Sequence, residues 1–339
     1  GVIAIIYSYT GGLKSVLWTD FIQGSVLLVG VTFALFSLAG GINGGFGAIF
    51  QSMAGGKFLA SDQPIFNPNI LKDSVFLLIV GAGLNTCSSY VSSQDIVQRF
   101  TTTTDMKKLN KMMLTNGALS IFIATVFYLI GTGLYVFYSQ NALPPAAQQD
   151  QIFASYIAYQ LPVGITGLLL AAIYAASQST LSTGLNSVAT SWTLDIQERL
   201  SKKEMSFALQ TKIAQYVSLG VGVVAILVSM VLANGEIKSA YEWFNGFMGL
   251  VLGVLGGTFA LGTFTKVANA KGAYVAFFVA AVTMVCIKYM APAGSVSIWS
   301  YSIISIAISL VVGIPVSMIT RKLDGDTSKP VKDATIYHN

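Results

Sequence analysis

The chain has 339 residues, 54% of them hydrophobic and only 10% charged, with a formal net charge of +5. A soluble domain carries about a quarter charged residues, so this chain cannot coat a water-exposed surface and reads as an all-α polytopic membrane protein. Its basic residues sit in short loops, where they act as topology signals facing a lipid bilayer. Nucleic acid is not an expected partner.

In chain order, the opening "GVIAIIYSYTGGLK" reads as the end of a membrane helix, residues 1–10, whose beginning lies upstream. We therefore expect the later part of a longer protein. A spanning helix needs about 20 apolar residues, and eight stretches qualify: 14–38, 73–98, 109–138, 164–193, 207–233, 243–264, 272–290 and 297–319. Together they make one transmembrane domain over 1–339, with eight helices in 14–319 and a polar tail at 320–339. In the second stretch, Gly81, Gly83, Asn85, Thr86, Ser88 and Ser89 weaken the helix, which predicts a break between Gly81 and Asn85; the alternative is an intact helix that uses small residues for packing. Residues 141–163 are too long for a plain turn and predict a short helix.

Lys and Arg sort the connecting loops. Arg99 with Lys107, Lys108 and Lys111, Arg199 with Lys202, Lys203 and Lys212, Lys266 with Lys271, and Arg321 with Lys322 mark one side. The loops between them, 139–163, 234–242 and 291–296, carry few or no basic residues. The alternation puts the basic loops and the C-terminus in the cytoplasm and the long loop 39–72 outside. Cys87 and Cys286 lie far apart in apolar segments, and His338, the single histidine, stands in the tail. Imidazole metal sites and Ser-His-Asp chemistry drop out; no catalytic or cofactor-binding constellation is present, and the chain does not read as an enzyme.

The fourth stretch continues as "AASQSTLSTGLNSVATS", residues 175–191. At roughly 100° per residue, Ser179, Ser182, Thr183, Asn186, Ser187 and Thr190 fall in one wedge, with Thr180 at its edge. Leu181, Leu185, Val188 and Trp192 take the opposite side. Hydroxyls in membrane helices often bond their own upstream carbonyls and pack as small residues. A continuous oxygen face also suits a dehydrated alkali cation, which takes several neutral oxygen ligands. Asp20, inside the first full span, costs about 2.5 kcal/mol or more to insert unpaired. It is either a helix-start residue at the inner interface or a cation ligand.

Three stretches in order, "GGLKSVLWTDFIQ", "SSQDIVQRF" and "AASQSTLSTGLNSVATSWTLDI", resemble signature regions of the sodium:solute symporter family, and the likeness covers nearly the whole chain. The resemblance implies a partial leucine-transporter-like five-plus-five inverted-repeat core. In it, 14–38 is core helix five, 73–98 six, 164–193 eight and 243–264 ten, followed by two extra C-terminal helices; helices one to three and most of four are missing. It further implies a sodium-coupled secondary active symporter, multi-pass in the bacterial plasma membrane, with sodium ion and a small organic solute as partners.

Position by position, the resemblance places a shared sodium site at the Ala176 carbonyl and the Ser179 and Thr180 hydroxyls. Thr180 stands where the family usually has a second Ser. It places a second sodium site at Asp20, Ser182 and Thr183, with Ser179 able to serve both. Asn85, Thr86, Ser89 and Asn245 are the substrate-facing candidates, although the Asn and Tyr found on helix six of sugar carriers are missing here. "GGLK", the Asp20 set and "SSQDIVQRF" lean toward the sialic acid or acidic-sugar branch. Another solute of the same family (a neutral sugar, a monocarboxylate or proline) and a passive cation channel stay open. So do the number of sodium ions, one or two, and the oligomeric state.

Overall fold

The computed structural model describes residues 2–57, 64–69, 71–142, 151–201, 205–233, 240–292 and 294–323. Among them the regular structure is entirely helical: α1 (Val2–Gly40), α2 (Gly45–Ser52), α3 (Val75–Ser92), α4 (Gln94–Phe100), α5 (Met106–Gln140), α6 (Ile152–Tyr159), α7 (Val163–Thr190), α8 (Glu198–Ser201), α9 (Phe207–Ala233), α10 (Ala240–Phe264), α11 (Ala270–Met290) and α12 (Ser300–Leu323). Eight of them are long and apolar enough to cross a membrane, and they fall on the eight stretches expected from hydropathy. The short helix expected in 141–163 is α6; residues 143–150 of that loop, and the tail beyond Leu323, lie outside the described residues. Helix α1 runs unbroken from Val2 through the Gly11–Gly12 pair, and its apolar crossing part begins at Val16.

One expectation is corrected. Helix α3 passes through Gly81 to Asn85 without interruption and ends at Ser92, and Ser93 turns extended (ψ 120°) before α4 starts. Ser88, one of the residues meant to weaken it, is satisfied without unwinding: its hydroxyl donates to the Leu84 carbonyl at 2.8 Å, as the Ser92 hydroxyl does to the Ser88 carbonyl at 2.6 Å. Gly81 serves close packing instead.

The chain forms two compact units. The first comprises residues 1–59 and 98–238, and the second 60–97 and 239–339. In the first, Val31, Ala34, Leu35 and Leu38 of α1 pack against Val126, Ile130, Leu134 and Phe137 of α5 and Leu169 of α7. Helix α6 closes on this core through Tyr156, which is 2% exposed and meets Phe137 edge-on at 5.2 Å. Burial pushes the Tyr156 phenol above its ordinary range despite a hydrogen bond with Ser37, so it stays neutral at physiological pH. Small residues let α1 and α7 approach: a Cβ on Gly30 would stand 3.3 Å from that of Ala172.

In the second unit, several interfaces set glycine against serine, because small side chains let membrane helices touch where apolar burial gives no drive between them. Ser302, Ser305, Ser309 and Ser317 line one buried face of α12. Gly253 and Gly257 of α10 and Gly272 of α11 leave room for Ser305, Ser309 and Ser317 respectively. Gly256 of α10 does the same for Ser88 of α3, and Gly81 lies directly under the Trp299 carbonyl.

Candidate functional site

Helices α1 and α7 run antiparallel from their close approach at Gly30 and Ala172, and this register delivers Asp20 to the hydroxyl face of α7. The Ser179 hydroxyl donates to Asp20 Oδ1 at 2.6 Å. Asp20 Oδ2 accepts from Thr183 Oγ1 at 3.2 Å and from Arg99 Nη2 at 2.6 Å. The same guanidinium nitrogen donates to Thr183 Oγ1 at 3.0 Å. Asp20 is 15% exposed and Arg99 41%, so the carboxylate is the more deeply placed partner of this ion pair.

The proton count explains what the cluster offers. A hydroxyl has one proton and two lone pairs. Ser179 and Thr183 each give their proton to Asp20, which leaves oxygen lone pairs turned away from the carboxylate. Among the described residues the Ser179 oxygen keeps both; that of Thr183 shares one with Arg99. Such polarised hydroxyls beside a carboxylate are hard-cation ligands.

Not every expected ligand joins this cluster. The Thr180 hydroxyl donates to the Ala176 carbonyl at 3.1 Å, so those two oxygens are brought together but apart from Asp20, with Thr180 exposed. Ser182 is fully buried and its hydroxyl donates to the Ser179 carbonyl at 3.0 Å. It therefore follows the back-bonding habit of helix hydroxyls and does not meet Asp20. Further along α7, Asn186 Nδ2 donates to Gln98 Oε1 at 3.1 Å, extending the polar seam.

Two residues were missed in the sequence. Arg99 reads there as an inner-interface charge with an ion-pair or topology role, but not as the partner of Asp20; the signal for that partner was that a lone intramembrane carboxylate needs a cation. Gln23, one turn from Asp20, donates from Nε2 to Gln178 Oε1 at 3.3 Å, and its own Oε1 is buried without a partner among the described residues. Nothing in the sequence singled out Gln23, because a glutamine flanked by Ile22 and Gly24 looks unremarkable.

In the second unit, the substrate candidates Asn85, Thr86 and Ser89 share the latter half of α3 and Asn245 lies near the start of α10. The structure pairs Asn85 with α12, whose Ser302 hydroxyl donates to Asn85 Oδ1 at 3.4 Å. Thr86 is exposed, and Ser89 and Asn245 are half-buried.

The family model described as sodium:solute symporter family matches residues 1–280. The chain is 33% identical over 291 residues to the sodium/sialic acid symporter SiaT of Proteus mirabilis, covering 85% of this chain and 58% of that protein. It is 30% identical over 330 residues to the sodium/sialic acid symporter NanT of Aliivibrio fischeri, covering 96% and 64%. It also matches the solved structure of a Na+-coupled sialic acid symporter in a substrate-bound outward-open state with a novel Na+ site. There the TM-score is 0.84 at 29% identity, over 94% of this chain and 65% of that one. The chain thus spans less than two thirds of the length of each of these relatives. Its fold is the leucine-transporter-like one implied by the motifs, and the chain belongs to the sodium:solute symporter family.

Proposed function

We propose that this chain carries the sodium sites of a secondary active symporter that imports sialic acid or a related acidic sugar across a bacterial inner membrane. The observation that carries the reading is the Asp20 carboxylate held by Ser179, Thr183 and Arg99 between α1 and α7. The charge offsets sodium dehydration, and the hydroxyls supply neutral oxygens. Ala176 and Thr180 contribute to a neighbouring site. Family membership and likeness to two sodium/sialic acid symporters support sodium as the driving ion and an acidic sugar as the cargo. Transport needs no covalent step, so the protein is not an enzyme. The eight helices between 14 and 319 cross the bilayer, and the tail from 320 is cytoplasmic.

Each sodium moved down 100 mV contributes about 2.3 kcal/mol before its concentration gradient is counted. The test is uptake of N-acetylneuraminate by the intact protein in liposomes, with an inward sodium gradient or with choline in its place. Sodium-dependent accumulation is expected. Accumulation of a neutral sugar, a monocarboxylate or proline instead would move the cargo within the family. Sodium flux without any solute coupling would mark a channel.

The site assignment has its own test. Ser179→Ala removes the hydroxyl with both lone pairs free and should raise the sodium concentration for half-maximal uptake by about tenfold, the equivalent of about 1.4 kcal/mol. Thr180→Ala should raise it less, because its oxygen is already engaged at Ala176. Unchanged sodium dependence in both variants would remove α7 from the sodium pathway.

A further inference from the structure

The oxygen-bearing face of α7 does not end at the Asp20 cluster. Asn186 stands three residues beyond Thr183, the neighbouring place on the same helix face. Thr190 follows one turn later, its hydroxyl donating to the Asn186 carbonyl at 2.9 Å. Beyond it the chain runs to the basic loop of Arg199, Lys202 and Lys203. In the orientation that the loop charges predict, this face leads from Asp20 toward the cytoplasm.

One bond lies across that face. Asn186 Nδ2 donates to Gln98 Oε1 at 3.1 Å, and both residues are half-buried. Gln98 directly precedes Arg99, so two consecutive residues of α4 reach α7, one at Asn186 and one at Thr183. The two contacts differ in kind. Arg99 brings a charge and donates to Asp20 at 2.6 Å and to Thr183 at 3.0 Å. Asn186 and Gln98 are neutral, and among the described residues their side chains share this single hydrogen bond and no other. A bond between neutral amides is weaker than a charge-assisted one and adds little net stability. It can open in every cycle.

Opening it changes what α7 offers a cation. While the pair is bonded, Gln98 Oε1 is taken by the Asn186 amide. Once the two part, each has an amide oxygen free to turn toward the path, and neutral oxygens are ligands for a hard cation. A carboxylate at this place would hold sodium, and a basic side chain would repel it. Neutral amides do neither, which suits passage. We propose that the Asn186–Gln98 pair is an inner sodium gate. Closed, it keeps the ion at Asp20 until cargo has bound; open, it passes the ion along α7 over the two amide oxygens. The gate rests on the sodium-symport reading given above and adds to it a route of release and the residues that prevent slippage.

The experiment loads liposomes that carry the intact protein with 22Na+ and measures its efflux without any solute. Wild type is compared with Asn186→Ala, Gln98→Ala, the double alanine variant and the exchange Asn186→Gln with Gln98→Asn. Each alanine variant should leak about fivefold faster than wild type, the equivalent of about 1 kcal/mol. The double variant should leak no faster than the leakier single one, because both substitutions remove the same bond. The exchange keeps the summed length of the two side chains and should bring the leak back to within about twofold of wild type. Equilibrium 22Na+ binding should match wild type throughout, which a merely structural role would not preserve. The single variants break the bond from its two ends, so either one decides if the other fails to fold. A wild-type leak in a folded alanine variant overturns this inference alone, as does an exchange variant that leaks as alanine does. Loss of bound 22Na+ in both alanine variants overturns it too, because the pair then holds the site together. No 22Na+ binding by wild type overturns the sodium reading and this inference with it.

Discussion

Asp20→Asn should lower the Hill coefficient for sodium in uptake from above one to about one and raise half-saturation by tenfold or more. A unit charge 4 Å from a sodium ion contributes about 4 kcal/mol at an effective dielectric of 20. Arg99 sits on the same carboxylate oxygen at 2.6 Å and offsets part of that attraction. A net loss of about 1.4 kcal/mol, a factor of ten, is what remains. The asparagine oxygen still accepts from Ser179, so residual transport through the Ala176 and Thr180 oxygens should persist. If two sodium ions accompany a monovalent anionic sugar, wild-type uptake moves one net positive charge per cycle, and Asp20→Asn should approach electroneutrality.

The two partners of the ion pair separate this role from a merely structural one. Asp20→Asn leaves Arg99 without its counter-ion, but at 41% exposure water tolerates the guanidinium. Arg99→Gln leaves the 15% exposed carboxylate with hydroxyl donors alone, at a cost of about 1–3 kcal/mol, the range for a largely buried acceptor that loses a partner. Arg99→Gln should therefore destabilise more, and Asp20→Asn should change sodium coupling more. Equal thermal stability in the two variants with unaltered sodium cooperativity would leave Asp20 only an anchoring role.

The largest effect on folding is expected at Gly81. A Cβ there would overlap the Trp299 carbonyl oxygen and lie 2.8 Å from its carbon. Backbone cannot swing aside as a side chain does, so Gly81→Ala should cost about 3 kcal/mol or more, the upper end for overpacking. Gly83, one residue past the next position on the same helix, has nothing within 4 Å. Gly83→Ala should gain up to about 1 kcal/mol from helix propensity. Thermal melting in detergent reads both. A Gly81→Ala midpoint equal to that of Gly83→Ala would contradict the close approach of α3 to the Trp299 turn.

Hydropathy exposed the eight spans because a bilayer demands about 20 apolar residues from each, and the eight long helices keep that pattern. The hydroxyl wedge was legible for a related reason: helical periodicity decides which residues share a face before any tertiary contact exists. The same periodicity cannot say which face meets which neighbour. Ser182 lies in the wedge beside Thr183, yet the packing of α7 buries it against its own backbone. Arg99 is 79 residues from Asp20, and no local pattern joins them. The break in 73–98 was misplaced because glycine has two uses that read alike in sequence. It weakens a helix, and it also lets another backbone approach; at Gly81 the second use prevails. Asn85 met Ser302 of α12, a partner whose buried serine face is visible only once α12 is packed.

Equilibrium binding of radioactive 22Na+ to the intact protein, counted per chain at saturation in wild type and Asp20→Asn, tests the central claim most directly. The account predicts two sodium ions bound by wild type and one by Asp20→Asn, the remaining ion at the Ala176 and Thr180 oxygens. The same number bound with and without the Asp20 carboxylate would contradict it.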